Sequence, residues 1–306
     1  MSPVYIPGQG WGTGGSSAAA AAAVVPVGTA NGRLTLVSGT PVMTTSQTAK
    51  TTLYYTPHEG NQIALFSGGA WELLSFSEAS LGLSGFAANK NFDIFGYSSG
   101  GTLTLEAVEW TNDSTRAVAL AQQDGVWCKT GAPARRYLGT IRTTGVTGQC
   151  EFSFGGDAAA ANLFVWNESN RVFVPTMIHD TTNSWTYGNV GAWRAANNSS
   201  NYRANVVIGR KLEALTATYQ AFISTAASTA GAANIGVNST TARSGFGAYA
   251  TGGNAGEVLS ASWSGFLEPG FSFISAIEYS SGGTSTIYGD NGANPVQTGL
   301  IVGGYF

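Results

Sequence analysis

At 306 residues, 43% of them hydrophobic, the chain is long enough for about two domains with cores of their own, yet only 10% of its residues are charged, against about 25% in ordinary soluble domains. A net charge of −3 offers no basic field for nucleic acid or an anionic membrane surface, so neither is expected as a partner. Two cysteines exclude a disulfide scaffold, and 42 glycines beside three methionines argue against long helices.

Residues 1–28 stand apart. Met1–Gly15 is rich in Gly and Pro and holds Tyr5, Ile6 and Trp11; six alanines and Val24-Val25-Pro26 follow. This composition cannot build a core. It reads as an extended arm, either a free tail or a segment whose Tyr5, Ile6 and Trp11 dock onto a neighbouring subunit. The apolar stretch Ala18–Val25 is too short to cross a bilayer. No basic residue precedes it, the first being Arg33, so a secretory leader is not expected.

From residue 29 the text becomes short β-runs between turn signals. Arg33–Ser38 alternates, and Thr51–Thr56 is β-branched and aromatic. Ile63–Phe66 and Trp71–Leu74 flank Gly68-Gly69 as a hairpin, and Phe92–Tyr97 and Thr102–Leu105 flank Gly100-Gly101. Ser77–Leu83 is the one short helix candidate in this series; in the arm, Ser17 is placed to cap a short alanine helix ended by Pro26. Further strands are expected at Val126–Lys129, Tyr137–Arg142 and Leu163–Trp166. Cys128 and Cys150 both lie in strand-like text, as two separate thiols or as a pair facing across neighbouring strands.

A second series begins near Asn170 and includes Trp185–Tyr187, Arg203–Ile208, Ala214–Phe222, Ala233–Val237 and Phe271–Tyr279. The segment Tyr97-Ser-Ser-Gly-Gly-Thr102 recurs as Tyr279-Ser-Ser-Gly-Gly-Thr284, which predicts the same hairpin twice. The fold class is therefore all-β: two β-sandwich or jelly-roll-like domains, at 29–175 and 176–306, after the arm at 1–28.

Few residues carry chemistry. The only histidines, His58 and His179, sit in turn-like text, without a Gly-x-Ser-x-Gly elbow or a His-Glu-x-x-His pair. Glu106, Glu109, Asp157 and Asp180 supply acids, but nothing singles out a pair for glycoside cleavage. Asp290-Asn291-Gly292 reads as a turn rather than a calcium loop. The chain is expected to be no enzyme and to need no metal or cofactor. Trp185, Tyr187, Trp193 and Tyr202 lie close together in polar text; they are the candidate glycan contacts, with core filling the plainer reading.

Five segments in order carry a resemblance: Asn31–Leu36, Thr51–Pro57, Phe92–Phe95, Asp124–Trp127 and Arg136–Thr144. Over residues 31–175 the chain resembles a module of tail and tail-fibre proteins of tailed bacteriophages. Its second half is similar to the accompanying domain through Asn238–Thr241 and Gly283–Gly292. The resemblance implies a structural virion protein, assembled in the bacterial host cytoplasm as a homo-oligomer, commonly a trimer, in a fibre or tail appendage. The arm lies outside the resemblance and is expected to attach to other virion proteins or to lock subunits together; the distal domain is expected to be the host-facing end, with host-surface polysaccharide its candidate partner. A capsid or collar decoration protein and a free carbohydrate-binding module are the alternatives.

Overall fold

The computed structural model describes residues 24–188, 191–252, 256–292 and 297–306. Tyr5, Ile6, Trp11, Ser17 and the six alanines after it lie outside the described residues. The protein is all-β, with 59% of the described residues in strands; among them the only helical turn is the 3-10 segment Ala196–Asn198.

The first part carries a three-stranded sheet of Gly32–Thr35, Thr52–Pro57 and Ala79–Gly82, and a hairpin of Gln62–Ser67 with Ala70–Ser75. A six-stranded sheet orders Thr102–Glu109, Asn91–Ser99, Ala132–Arg142, Val126–Lys129 and Leu120–Gln123, with Val165–Asn167 on the free side of Ala132–Arg142. Glycines at φ +57° and +90° (Gly68, Gly69), and at +57° and +80° (Gly100, Gly101), close the two expected hairpins. Left-handed backbone at both central positions matches the twist of the flanking strands, which is why glycine stands there.

Two larger sheets follow. One runs Gln47–Lys50, Cys150–Gly156, Ala159–Leu163, Arg203–Ile208, Gly270–Ser280, Ala230–Val237 and Tyr249–Thr251, with Ala192–Ala195 added to Gly270–Ser280. The other runs Phe173–His179, Gly299–Tyr305, Leu215–Thr225, Glu257–Gly265 and Phe246–Gly247; Ser285–Tyr288 joins Leu215–Thr225 and carries Trp185–Tyr187. In Leu215–Thr225 every second residue, from Leu215 to Thr225, is buried. This period of two turns one face onto the neighbouring sheet, where the strand packs on Ala230–Val237.

The expected junction near residue 175 is not a break in the hydrogen-bonded structure. Ala159–Leu163 pairs in parallel with Arg203–Ile208, Ala161 opposite Ala204, so one sheet draws strands from both sides. Phe306 seals the same boundary. It is fully buried, its ring meets Phe152 edge-on at 6.5 Å, and its carbonyl accepts from Arg33 Nη2 at 2.9 Å.

Two sequence expectations need correction. Ser77–Leu83 is not a helix; Ala79–Gly82 is a strand on Thr52–Pro57. Seven residues gain too few hydrogen bonds to offset helix nucleation, and the neighbouring strand offers a full ladder. The second Ser-Ser-Gly-Gly is not a hairpin either, since Ser285–Tyr288 leaves for the other sheet. Ser280 and Ser285 are both fully buried. Ser281 N donates to Ala230 O at 2.9 Å, and a Cβ at Gly283 would fall 1.8 Å from Thr229 Oγ1. The loop is therefore clamped by residues 226–230 and turned aside.

Cys128 and Cys150 are both free and buried, on strands of different sheets. Burial pushes their thiols up to about 11 and about 12 respectively.

Candidate functional site

The structure brings the four predicted aromatics into one region but turns most of them inward. Trp185 is 9% exposed, Tyr187 5% and Tyr202 0%. The rings of Trp185 and Tyr202 lie 6.0 Å apart. Trp185 Nε1 donates to Glu278 Oε2 at 2.8 Å, and Tyr187 OH donates to Ala192 O at 2.9 Å. Arg194 covers the Tyr187 ring at 3.9 Å. These three rings are core and cannot stack on a sugar. Trp193 alone is half-buried, packed on Tyr279 at 5.2 Å.

The knot beneath them is structural. The Glu278 carboxylate is 1% exposed and also accepts from Arg194 at 2.6 Å. Burial pushes its pKa up, and the bonds from Trp185 and Arg194 only partly oppose this. The other acids are also tied down locally. Glu106 holds Lys129 and Arg135, Glu109 lies 3.5 Å from Lys90, Asp157 accepts from Thr181, and Asp180 accepts from Thr182 and Asn197. Among the described residues no three or more of His, Cys, Asp and Glu come together so as to hold a metal ion.

Two outward features are left. The first is the outer face of the seven-stranded sheet. Phe173, Pro175 and Met177 point outward while Val174, Thr176 and Ile178 point in. The register sets Phe173 beside Tyr305 and Met177 beside Ile301, with Thr218 and Ser262 next in line. Phe173 (53%), Met177 (57%), Ile301 (50%) and Tyr305 (46%) are all exposed, and Phe173 meets Tyr305 edge-on at 5.5 Å. The face continues through Thr216, Gln220, Ser260 and Ser264. These outward positions include no Asp, Glu, Lys or Arg. Alternation could not reveal this face, because Phe-Val-Pro-Thr-Met-Ile is apolar on both sides.

The second is an open cleft of about 420 Å³ over the eight-stranded sheet, lined by Arg142, Glu151, Asn162, Arg203, Asn205 and Phe271 among others. Parallel pairing sets Asn162 opposite Asn205. Asn205 Nδ2 donates to Asn162 Oδ1 at 2.7 Å, and Asn162 Nδ2 donates to Glu151 Oε1 at 2.9 Å. Arg142 is committed to Asn91 and Asp113 and lies over the Phe271 ring at 3.9 Å.

No family model matches the chain, and no curated protein matches it. Among solved structures it is similar to that of the infectious bursal disease virus Gx strain, at 14% identity and a TM-score of 0.25, over 87% of this chain and 76% of that one. It is also similar to the insecticidal delta-endotoxin Cry8Ea1 from Bacillus thuringiensis, at 8% identity and a TM-score of 0.22, over 90% of this chain and 52% of that one. Likenesses this slight carry no argument about fold or function.

Proposed function

We propose that this chain is a structural subunit of a tailed-phage particle, part of a fibre or tail appendage, that assembles with copies of itself through the outer face of the seven-stranded sheet. The observation that carries the reading is the uncharged face bearing Phe173, Met177, Ile301 and Tyr305. An exposed apolar patch on a β-sheet invites association, and free soluble proteins normally guard such faces with charge. The in-order motifs across residues 31–175 supply the phage setting. The arm, with Tyr5, Ile6 and Trp11, is proposed to join the subunit to other virion proteins.

Solution mass by light scattering tests the reading. The protein is expected to run as a trimer or larger ring, and the double variant Met177→Glu/Ile301→Glu as a monomer with an unchanged far-UV spectrum. A monomeric parent protein, or an oligomer indifferent to both charges, would refute assembly through this face.

A further inference from the structure

We infer that the cleft over the eight-stranded sheet binds an uncharged, hydroxyl-rich saccharide unit, with Arg203 and Glu151 as its paired donor and acceptor. The inference stands on different residues from the assembly face and does not depend on oligomeric state.

Arg203 provides the first argument. Its guanidinium is half-buried, and no described residue gives it a hydrogen bond or an ion pair; Nε is sealed from solvent without a partner. Its guanidinium carbon lies 5.1 Å from the centre of the Phe273 ring. Every other half-buried or buried arginine among the described residues is hydrogen-bonded. Nη1 and Nη2 are not sealed, so they are the donors open to a ligand oxygen, which would pair a cation that the described residues leave without an acceptor.

Glu151 provides the complement. Its Oε1 accepts from Ser153 at 2.5 Å and from Asn162 at 2.9 Å, while Oε2 has no partner among the described residues. The two carboxamides form a directed chain that ends on this carboxylate, so each bond polarises the next and holds the acceptor in place. Asn205 is 7% exposed, and its Oδ1 is left without a donor.

Charge then chooses the ligand. Arg142 is neutralised by Asp113 at 2.7 Å, which leaves one unpaired cation and one carboxylate facing the cleft. The sum is zero, so a ligand of net charge would meet repulsion from one wall. A sugar hydroxyl both donates and accepts, and two on one ring serve Glu151 and Arg203 together. The apolar part of the lining is small: Phe271 is half-buried with Arg142 over its ring, and Phe164 beside it is buried. The volume, about 420 Å³, lies in the range of small-molecule sites.

The test is saturation-transfer NMR on the full chain with methyl glycosides of neutral hexoses and N-acetylhexosamines, with free hexuronates beside them. Transfer to at least one neutral glycoside is expected. Glu151→Gln and Arg203→Met should each weaken it about tenfold or more, while Arg243→Met, at an exposed arginine outside the cleft, should not. Unchanged melting of each variant shows that the fold survives. If the two cleft variants fail to fold, Gly145→Trp takes their place: this lining residue is exposed and has room for a Cβ, so an indole there should obstruct the cleft and weaken neutral-sugar binding. Silence from every neutral glycoside, binding confined to hexuronates, or transfer that persists in the folded cleft variants would each overturn the assignment. None of these outcomes bears on the oligomer.

Discussion

Phe306→Ala is the substitution that asks whether the two halves of the chain fold together. The ring is fully buried against Phe152, which lies on the other side of residue 175. A buried Phe removes roughly 150–250 Å² from water, and at about 25 cal/mol per Å² this comes to some 4–6 kcal/mol. Alanine keeps a small part of that, so a loss of roughly 3–5 kcal/mol is expected, as for other buried Phe-to-Ala changes. The backbone bonds between Phe306 and Val172, both 3.0 Å, do not need the ring. The assay is urea unfolding followed by far-UV circular dichroism and, in parallel, by thiol labelling. Cys128 and Cys150 both lie before residue 175 and are buried, with thiols pushed up to about 11 and about 12. They should therefore resist labelling near pH 8 until the chain opens. If the shared sheet makes one cooperative body, the labelling midpoint falls together with the dichroism midpoint. A midpoint of thiol exposure that stays in place while the dichroism shifts would refute the coupling, whatever the size of the shift.

Two further outcomes are expected. Glu106→Gln tests a pH-dependent contribution: burial raises this carboxyl, but the bonds and charges of Lys129 and Arg135 outweigh it and hold the pKa below the ordinary 4.5. A folded pKa below the unfolded one adds stability above the ordinary value and loses it as pH falls through the folded value. The variant should thus melt lower than the parent near neutrality and converge with it in acid; a gap that persists in acid would contradict the account. Trp185→Phe removes the indole donor from buried Glu278 Oε2 at a cost of about 1–3 kcal/mol. The loss should be largest where Glu278 is ionised and shrink as pH falls, which thermal melts across a pH series would reveal.

The β-architecture was legible because it is local. β-Branched and aromatic residues in Thr52–Pro57 and Asn91–Ser99 and alternation in Leu215–Thr225, together with paired left-handed glycines at 68–69 and 100–101, specify strands and turns within a few residues of each signal. The same local signal misled at Tyr279–Thr284. There the glycines match those of the true hairpin at Tyr97–Thr102, but the outcome is decided by Thr229 and Ala230, some fifty residues earlier in the chain. At Trp185, Tyr187 and Tyr202 the plainer reading, core filling, is the one their burial matches; what the local text does not show is the buried carboxylate of residue 278 that satisfies the indole.

The cleft lay beyond sequence reading for a related reason. Its lining comes from residue 89, from 142–145, from 151–164, from 203–205 and from 271, and no two of these stretches form a motif together. What joins them is the parallel pairing of Ala159–Leu163 with Arg203–Ile208, which sets Asn162 against Asn205 across the boundary where two separate domains were expected. Parallel neighbours need a long crossover rather than a tight turn, so no nearby turn residue announces the pairing. The feature that makes the halves one sheet also assembles the polar wall of the cleft. A chain cut between them would lose the Asn205–Asn162–Glu151 relay along with the cooperativity that Phe306→Ala is designed to measure.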